Sequence, residues 1–147
     1  MAATTDGAVA SLFTVFDVHP ELLESGKKAT ALAASDILSG SVLVATKGLG
    51  ETVMHSHRGM DQIFCVLDGQ ATFYTDEDEV VAVLGRNKGI LVPRDAHYWY
   101  ESTGEENLVI LHIIARAQDL PQETVRYGPP LREQVPVVVR EGARFGE

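Results

Sequence analysis

The stretch "MHSHRGMDQIFCVLDG", residues 54–69, decides how this chain folds. His55 and His57 stand two positions apart in a run, 51–57, that reads as a β-strand. Alternate side chains of a strand project from one face, so Val53, His55 and His57 share a face and Thr52, Met54 and Ser56 share the other. "RGMD" (58–61) is a turn, and 62–67 is a second strand, mostly apolar, that ends at Asp68 and Gly69. A four-residue turn is enough to reverse the chain. Gln62 is therefore expected beside the two imidazoles, with Phe64 and Val66 facing in behind it. Two imidazoles so placed can meet one metal ion at roughly 2 Å. An isolated H-x-H pair is also read as two hydrogen-bonded structural histidines, and the choice depends on what surrounds it.

Outward from this stretch the chain is a series of short strands, expected at 41–46, 71–75, 80–84, 89–92, 97–101 and 108–115. Gly-, Asp- and Asn-rich turns separate them ("KGLG", "DED", "LGRNKG", "STGEEN"). Such spacing marks an all-β sandwich or barrel. His97 follows Pro93 at the head of one of these strands, and its inward companions by alternation are Trp99 and Glu101. Before the barrel, 13–18 ("FTVFDV") reads as a strand and 19–26 ("HPELLESG") as a short helix, with Pro near its start and Gly at its stop. Beyond residue 115 the chain reads as an irregular arm, ending in a strand at 135–139 ("VPVVV") that suits a sheet edge or a partner subunit. The division expected is an N-terminal segment 1–37, a barrel 38–115 and a C-terminal arm 116–147.

The 147 residues suit one domain with a sizeable core. A net charge of -9 argues against nucleic acid or an anionic membrane as a partner. The single cysteine, Cys65, excludes an internal disulfide and fits a reducing cytoplasm; its apolar surroundings suggest an inert thiol. No basic segment followed by a long apolar one opens the chain, so no secretory leader is expected.

The two stretches "HSHRGMDQIFCVLDG" and "GILVPRDAHYWYES" together resemble the two conserved motifs of the cupin superfamily. In the first motif Gly50 leads in, one residue closer to His55 than usual. His55, His57 and Gly69 match, and Gln62 stands at the Glu position. In the second, Pro93 and His97 match; Asn87 and Asp95 replace two glycines, Glu101 replaces Asn, and the spacing to His97 is one residue short. The resemblance spans roughly residues 38–115. It implies a double-stranded β-helix, or jelly-roll barrel, in which His55, His57, Gln62 and His97 surround one divalent ion: Fe, Mn, Zn or Ni, with Fe or Mn favoured.

The amide has an electrostatic consequence. Three imidazoles and a neutral Gln would leave a divalent ion at +2, where a carboxylate would leave +1. That ion is the stronger Lewis acid and favours an anionic, chelating substrate. Alternatively Gln62 stands behind the ligands and donates its NH₂ to a metal-bound oxygen. His112 is a candidate base or extra ligand, as is Glu101 a candidate base. Phe64 and Trp99 are candidate pocket walls, and Arg94 is a candidate for steering an anion. Each also has a plainer reading: His112 and Phe64 as core, Glu101 and Arg94 as solvated surface.

The leading expectation is a metal-dependent enzyme on a small organic substrate, of the non-haem iron dioxygenase kind. The alternative is a non-redox Mn or Zn cupin, similar to the hydroxynitrile lyases and polyketide cyclases with three His and a Gln, acting as a lyase, cyclase or isomerase. A third is a small-molecule binder without catalysis. The resemblance and the 135–139 strand also suggest a homodimer.

Overall fold

The computed structural model describes residues 11–128 and 137–139. Eleven strands are present among them: β1 (Lys27–Ala34), β2 (Leu38–Ala45), β3 (Gly50–His57), β4 (Met60–Asp68), β5 (Ala71–Tyr74), β6 (Val80–Leu84), β7 (Gly89–Val92), β8 (Tyr98–Ser102), β9 (Leu108–Arg116), β10 (Thr124–Arg126) and β11 (Val137–Val139). They form two sheets, ordered β11-β1-β2-β9-β4-β7 and β10-β3-β8-β5-β6. All pairings are antiparallel except β1 with β11. This is the jelly-roll arrangement expected.

The two inner faces meet in one apolar core. Phe64 and Val66 of β4 and Ile110 of β9 are wholly buried, and Phe73, Tyr98 and Tyr100 close on them from the opposite sheet. Phe64 is tilted against all three of those rings: 5.2 Å to Phe73, 5.9 Å to Tyr98 and 5.5 Å to Tyr100. The Arg58–Gly59 link does not make a hairpin. It carries the chain from β3 in one sheet to β4 in the other, so Gln62 faces the histidines across the barrel rather than beside them. Gly59 is required there, because a Cβ would lie 2.4 Å from the Pro121 carbonyl oxygen. Gly69 sits at φ +81°, the left-handed region, with the Asn107 carbonyl 2.5 Å from where its Cβ would be.

Two expectations at the N-terminal side are corrected. Residues 19–26 form no helix. Asn107 takes both backbone groups of Leu23, accepting from its N–H at 2.9 Å and donating to its carbonyl at 3.0 Å, and a segment this short cannot outbid that tie. Residues 13–18 form no strand, since their alternating apolar pattern meets no sheet edge among the described residues. Conversely, "KKATALAA" becomes β1 although Ala and Lys are poor strand formers, because β2 offers it a full ladder. Three residues of the expected irregular arm form β10 on β3, and the described part of the 135–139 strand pairs on the β1 edge. No helix of the described residues is long and apolar enough to cross a membrane.

Candidate functional site

One end of the barrel holds a cluster of polar side chains inside apolar walls. Strand β3 supplies Glu51, His55 and His57. Its register against β8 sets His55 opposite Tyr98, and directly opposed residues share a face, so the two rings lie 4.3 Å apart. The other sheet contributes Gln62 from β4 and His112 from β9. Phe64 is the cross-strand partner of His112 and stacks on it at 4.2 Å, which leaves the imidazole edge directed along the barrel toward Gln62.

A hydrogen-bonded chain crosses the barrel. His112 Nε2 donates to Gln62 Oε1 at 2.8 Å. Gln62 Nε2 donates to the Tyr98 hydroxyl at 3.1 Å, and that hydroxyl donates to Glu51 Oε1 at 3.0 Å. The imidazoles of β3 flank this chain, with His57 Nε2 3.5 Å from the Tyr98 oxygen and His55 Nε2 3.4 Å from Glu51 Oε1. Both rings are fixed from behind. His55 Nδ1 donates to the Val53 carbonyl at 2.7 Å, and His57 Nδ1 meets Thr124 Oγ1 of β10 at 3.0 Å. His55, His57, Gln62, Tyr98 and His112 are all buried, whereas 37% of the Glu51 side chain is exposed. Glu51 is therefore the member through which the cluster meets solvent.

The charges follow from these contacts. Burial raises the Glu51 carboxyl, but the hydrogen bond and charge of His55, helped by His112 and His57, outweigh it and hold the group down at about 2. Burial lowers His55, yet the hydrogen bond and charge of Glu51 and the Val53 carbonyl leave it raised above 6.5. Burial pushes His57 and His112 down to about 4 against the opposing pull of Glu51. Burial, and then Glu51, push Tyr98 well above 10. At neutral pH the cluster thus holds one carboxylate, one readily protonated imidazole, two neutral imidazoles and a neutral phenol.

Of the residues singled out in the sequence, the structure brings His55, His57, Gln62 and His112 together, with Phe64 as core beneath His112. It does not bring His97 to them. His97 lies on the outside, 2.9 Å from Asp76 Oδ1, with its ring tilted against Tyr127 at 4.3 Å. The reason is register: β8 begins at Tyr98, so Tyr98 and Tyr100 point inward, and Trp99 and Glu101 point outward. Trp99 Nε1 donates to Asp78 and its ring stacks on Tyr74; Glu101 accepts from the Tyr74 hydroxyl. Arg94 is exposed, its backbone N–H donating to Asp61. The cluster members not anticipated are Glu51, Tyr98 and Thr124. Tyr98 had a signal, since the motif spacing that falls one residue short at His97 lands on Tyr98. Glu51 had another, having the same strand parity as His55.

Two imidazoles and a carboxylate are suitable donors for a first-row divalent ion. Yet among the described residues no three His, Cys, Asp or Glu side chains are arranged to hold one. The Gln62 carbonyl is taken by His112, and the Tyr98 hydroxyl stands among the inward-facing atoms. As placed, these residues do not form the expected cage of three His and one Gln.

Comparison with known proteins places the fold. The cupin domain family model matches residues 42–114, about half of the chain. No curated protein matches. Among solved structures, a cupin superfamily protein from Desulfitobacterium hafniense shares 23% identity over 67% of this chain and 84% of its own, with a TM-score of 0.55. KdgF from Halomonas sp. shares 21% over 73% of this chain and 97% of its own, with a TM-score of 0.59. A variant of Streptomyces PAC13, solved with uridine, shares 16% over 65% of this chain and 72% of its own, with a TM-score of 0.53. With the two-sheet barrel and the H-x-H strand already in place, the family match assigns this chain to the cupin superfamily.

Proposed function

We propose that this chain is an enzyme that moves a proton on a small, carbonyl-bearing organic molecule, as a lyase, cyclase or isomerase does. One observation carries this reading: the buried Tyr98 hydroxyl is shared by Glu51, Gln62 and His57, so a neutral donor, a carboxylate and an imidazole converge on one point. On binding, the substrate oxygen accepts the Tyr98 hydrogen in place of Glu51. The Glu51–His55 pair, released from that donor, takes the proton from the carbon next to the carbonyl. The electron pair left behind becomes an enolate whose oxygen is held by Tyr98 and the Gln62 NH₂. The same proton then returns elsewhere on the substrate, or a leaving group departs. Non-redox chemistry is preferred to the dioxygenase expectation because His97, its third histidine, lies outside the cluster on Asp76, and the histidine that joins His55 and His57 instead, His112, is hydrogen-bonded to Gln62.

The test is solvent deuterium incorporation. Wild-type protein in D₂O is mixed with a panel of diketones, hydroxyketones and keto acids, and exchange at carbon is followed by NMR. Enzyme-dependent exchange is expected with at least one compound. It should fall about 10²-fold in Tyr98→Phe and about 10²- to 10⁴-fold in Glu51→Gln. Exchange that persists unchanged in both variants sinks the proposal.

A second reading, metal-dependent chemistry, is favoured by His55. Its Nδ1 hydrogen is committed to Val53, so Nε2 faces the Glu51 carboxylate either protonated or bound to a cation. His55, His57 and Glu51 carry the donors for such an ion, but they would have to move from the arrangement described above to hold it; the ion would then supply Lewis acidity at the substrate oxygen. Elemental analysis of untagged protein separates the readings: a stoichiometric ion supports the second, and oxygen consumption with the same panel would restore the dioxygenase form of it.

A further inference from the structure

His112 makes one hydrogen bond, and its other ring nitrogen is unusual. Nε2 meets Gln62 Oε1 at 2.8 Å, while Nδ1 is buried with no partner among the described residues. The ring is 4% exposed and lies flat on Phe64. A purely structural residue here would be apolar, as Phe64, Val66 and Ile110 around it are. An imidazole with one nitrogen stranded in the core needs an explanation in what the other nitrogen does.

The other nitrogen orients an amide. Gln62 could in principle present either its NH₂ or its carbonyl to the centre, and the two settings have different consequences. With NH₂ inward, Tyr98 accepts from Gln62 and keeps its own hydrogen for Glu51, and every inward contact has a donor and an acceptor. With the carbonyl inward, the single Tyr98 hydrogen would face two acceptors, Gln62 and Glu51, and one oxygen pair would be left without a proton. His112 would then have to accept at Nε2 and carry its hydrogen on the stranded Nδ1. A buried N–H without a partner is rarer in proteins than a buried lone pair without one. Both considerations select NH₂ inward.

We propose that His112 is a positioning residue that locks Gln62 with its amide NH₂ toward Tyr98, so that the centre recognises a hydrogen-bond-accepting oxygen of an organic substrate and Gln62 does not serve as a metal ligand. The inference deepens the function proposed above and rests on it for the word substrate, but the lock itself concerns the protein alone. It also moves the carboxylate of the site. The negative charge that Gln62 lacks is supplied by Glu51 from the opposite sheet, so the centre has no deficit of negative charge to attract an anion.

The experiment is a long-range ¹⁵N–¹H correlation spectrum of the histidine rings of wild-type protein at pH 7, assigned with single-histidine variants. His112 is expected as the Nε2–H tautomer with a bare Nδ1; the Nδ1–H tautomer overturns the lock. A second measurement uses His112→Phe, which keeps the stack on Phe64 and removes the stranded nitrogen. The variant removes the donor to the buried Gln62 Oε1 and is therefore expected to melt a few degrees below wild type, and the Gln62 side-chain NH₂ to exchange with solvent at least tenfold faster. Unchanged NH₂ exchange overturns the proposal, and if the variant does not fold the tautomer still decides. Neither readout involves a substrate. A failed deuterium-exchange panel with an Nε2–H tautomer would therefore count against the proposed reaction and not against the lock.

Discussion

Single residues show where the family pattern has been kept in shape but changed in chemistry. Asn87 and Asp95 replace the two glycines of the second motif, and both adopt left-handed backbone, at φ 69° and 70°. Asn and Asp tolerate that region better than other side-chain-bearing residues. Asn87→Ala is expected to lose about 1 kcal/mol of stability in urea unfolding, while Asn87→Gly should stay near wild type. Glu51 is a second residue of this kind, since its hydrogen bond and charge are the largest influences that raise His55 against burial. In Glu51→Gln burial and nearby positive charge are opposed only by the Val53 carbonyl, and the His55 pKa, followed by NMR, should fall. Glu51 and Tyr98 were both within reach of sequence reading. Glu51 shares the parity of His55 on one strand, and Tyr98 sits at the motif spacing, one residue beyond the more familiar ligand His97.

At the scale of elements, legibility followed local periodicity. The strands at 51–57, 62–67 and 108–115 announce themselves by alternation and by the turns that bound them, and the structure has β3, β4 and β9 there. What alternation could not reveal was partnership. β3 and β4 are consecutive and separated by two residues, yet belong to different sheets, a fact fixed by contacts far apart in the chain. β8 begins at Tyr98, one residue later than expected, and that difference exchanges its inward and outward sets. β10 had no signal of its own, because three residues are too few to show a period. It is nevertheless part of the site, through Thr124 on His57 Nδ1. Thr124→Val keeps the shape of the side chain and removes its oxygen. It is expected to cost about 1 kcal/mol in equilibrium unfolding and to release the His57 ring, seen as broadened or shifted imidazole signals, while the strand content by circular dichroism is unchanged.

For the whole molecule, the buried imidazoles dictate how stability depends on pH. The folded pKa values of His57 and His112 lie near 4, below the unfolded value of about 6.5. Below pH 6.5 the unfolded chain therefore binds protons that the folded protein refuses. Each of the two groups removes about 1.4 kcal/mol per pH unit between 6.5 and 4. His55, raised in the folded state, acts in the opposite sense: its contribution is complete below 6.5 and fades as pH rises through its folded pKa. Glu51 adds to the acid loss only below about 4.5, as pH falls toward its folded value of about 2. Urea unfolding should accordingly show stability falling steeply from pH 6.5 downward, well before ordinary carboxylates titrate, and His112→Phe should flatten that slope by about half. A slope confined to pH below 4.5 would contradict the buried neutral state of both rings.

The return of β10 to the H-x-H strand also bears on how the protein is made. Residue 57 is made before residue 124, whose hydroxyl holds its ring, and the arm carrying residue 124 crosses Gly59 before pairing with β3. A nascent chain halted before that point has the two histidines without one of their supports. The centre is thus complete only once β10 has paired with β3.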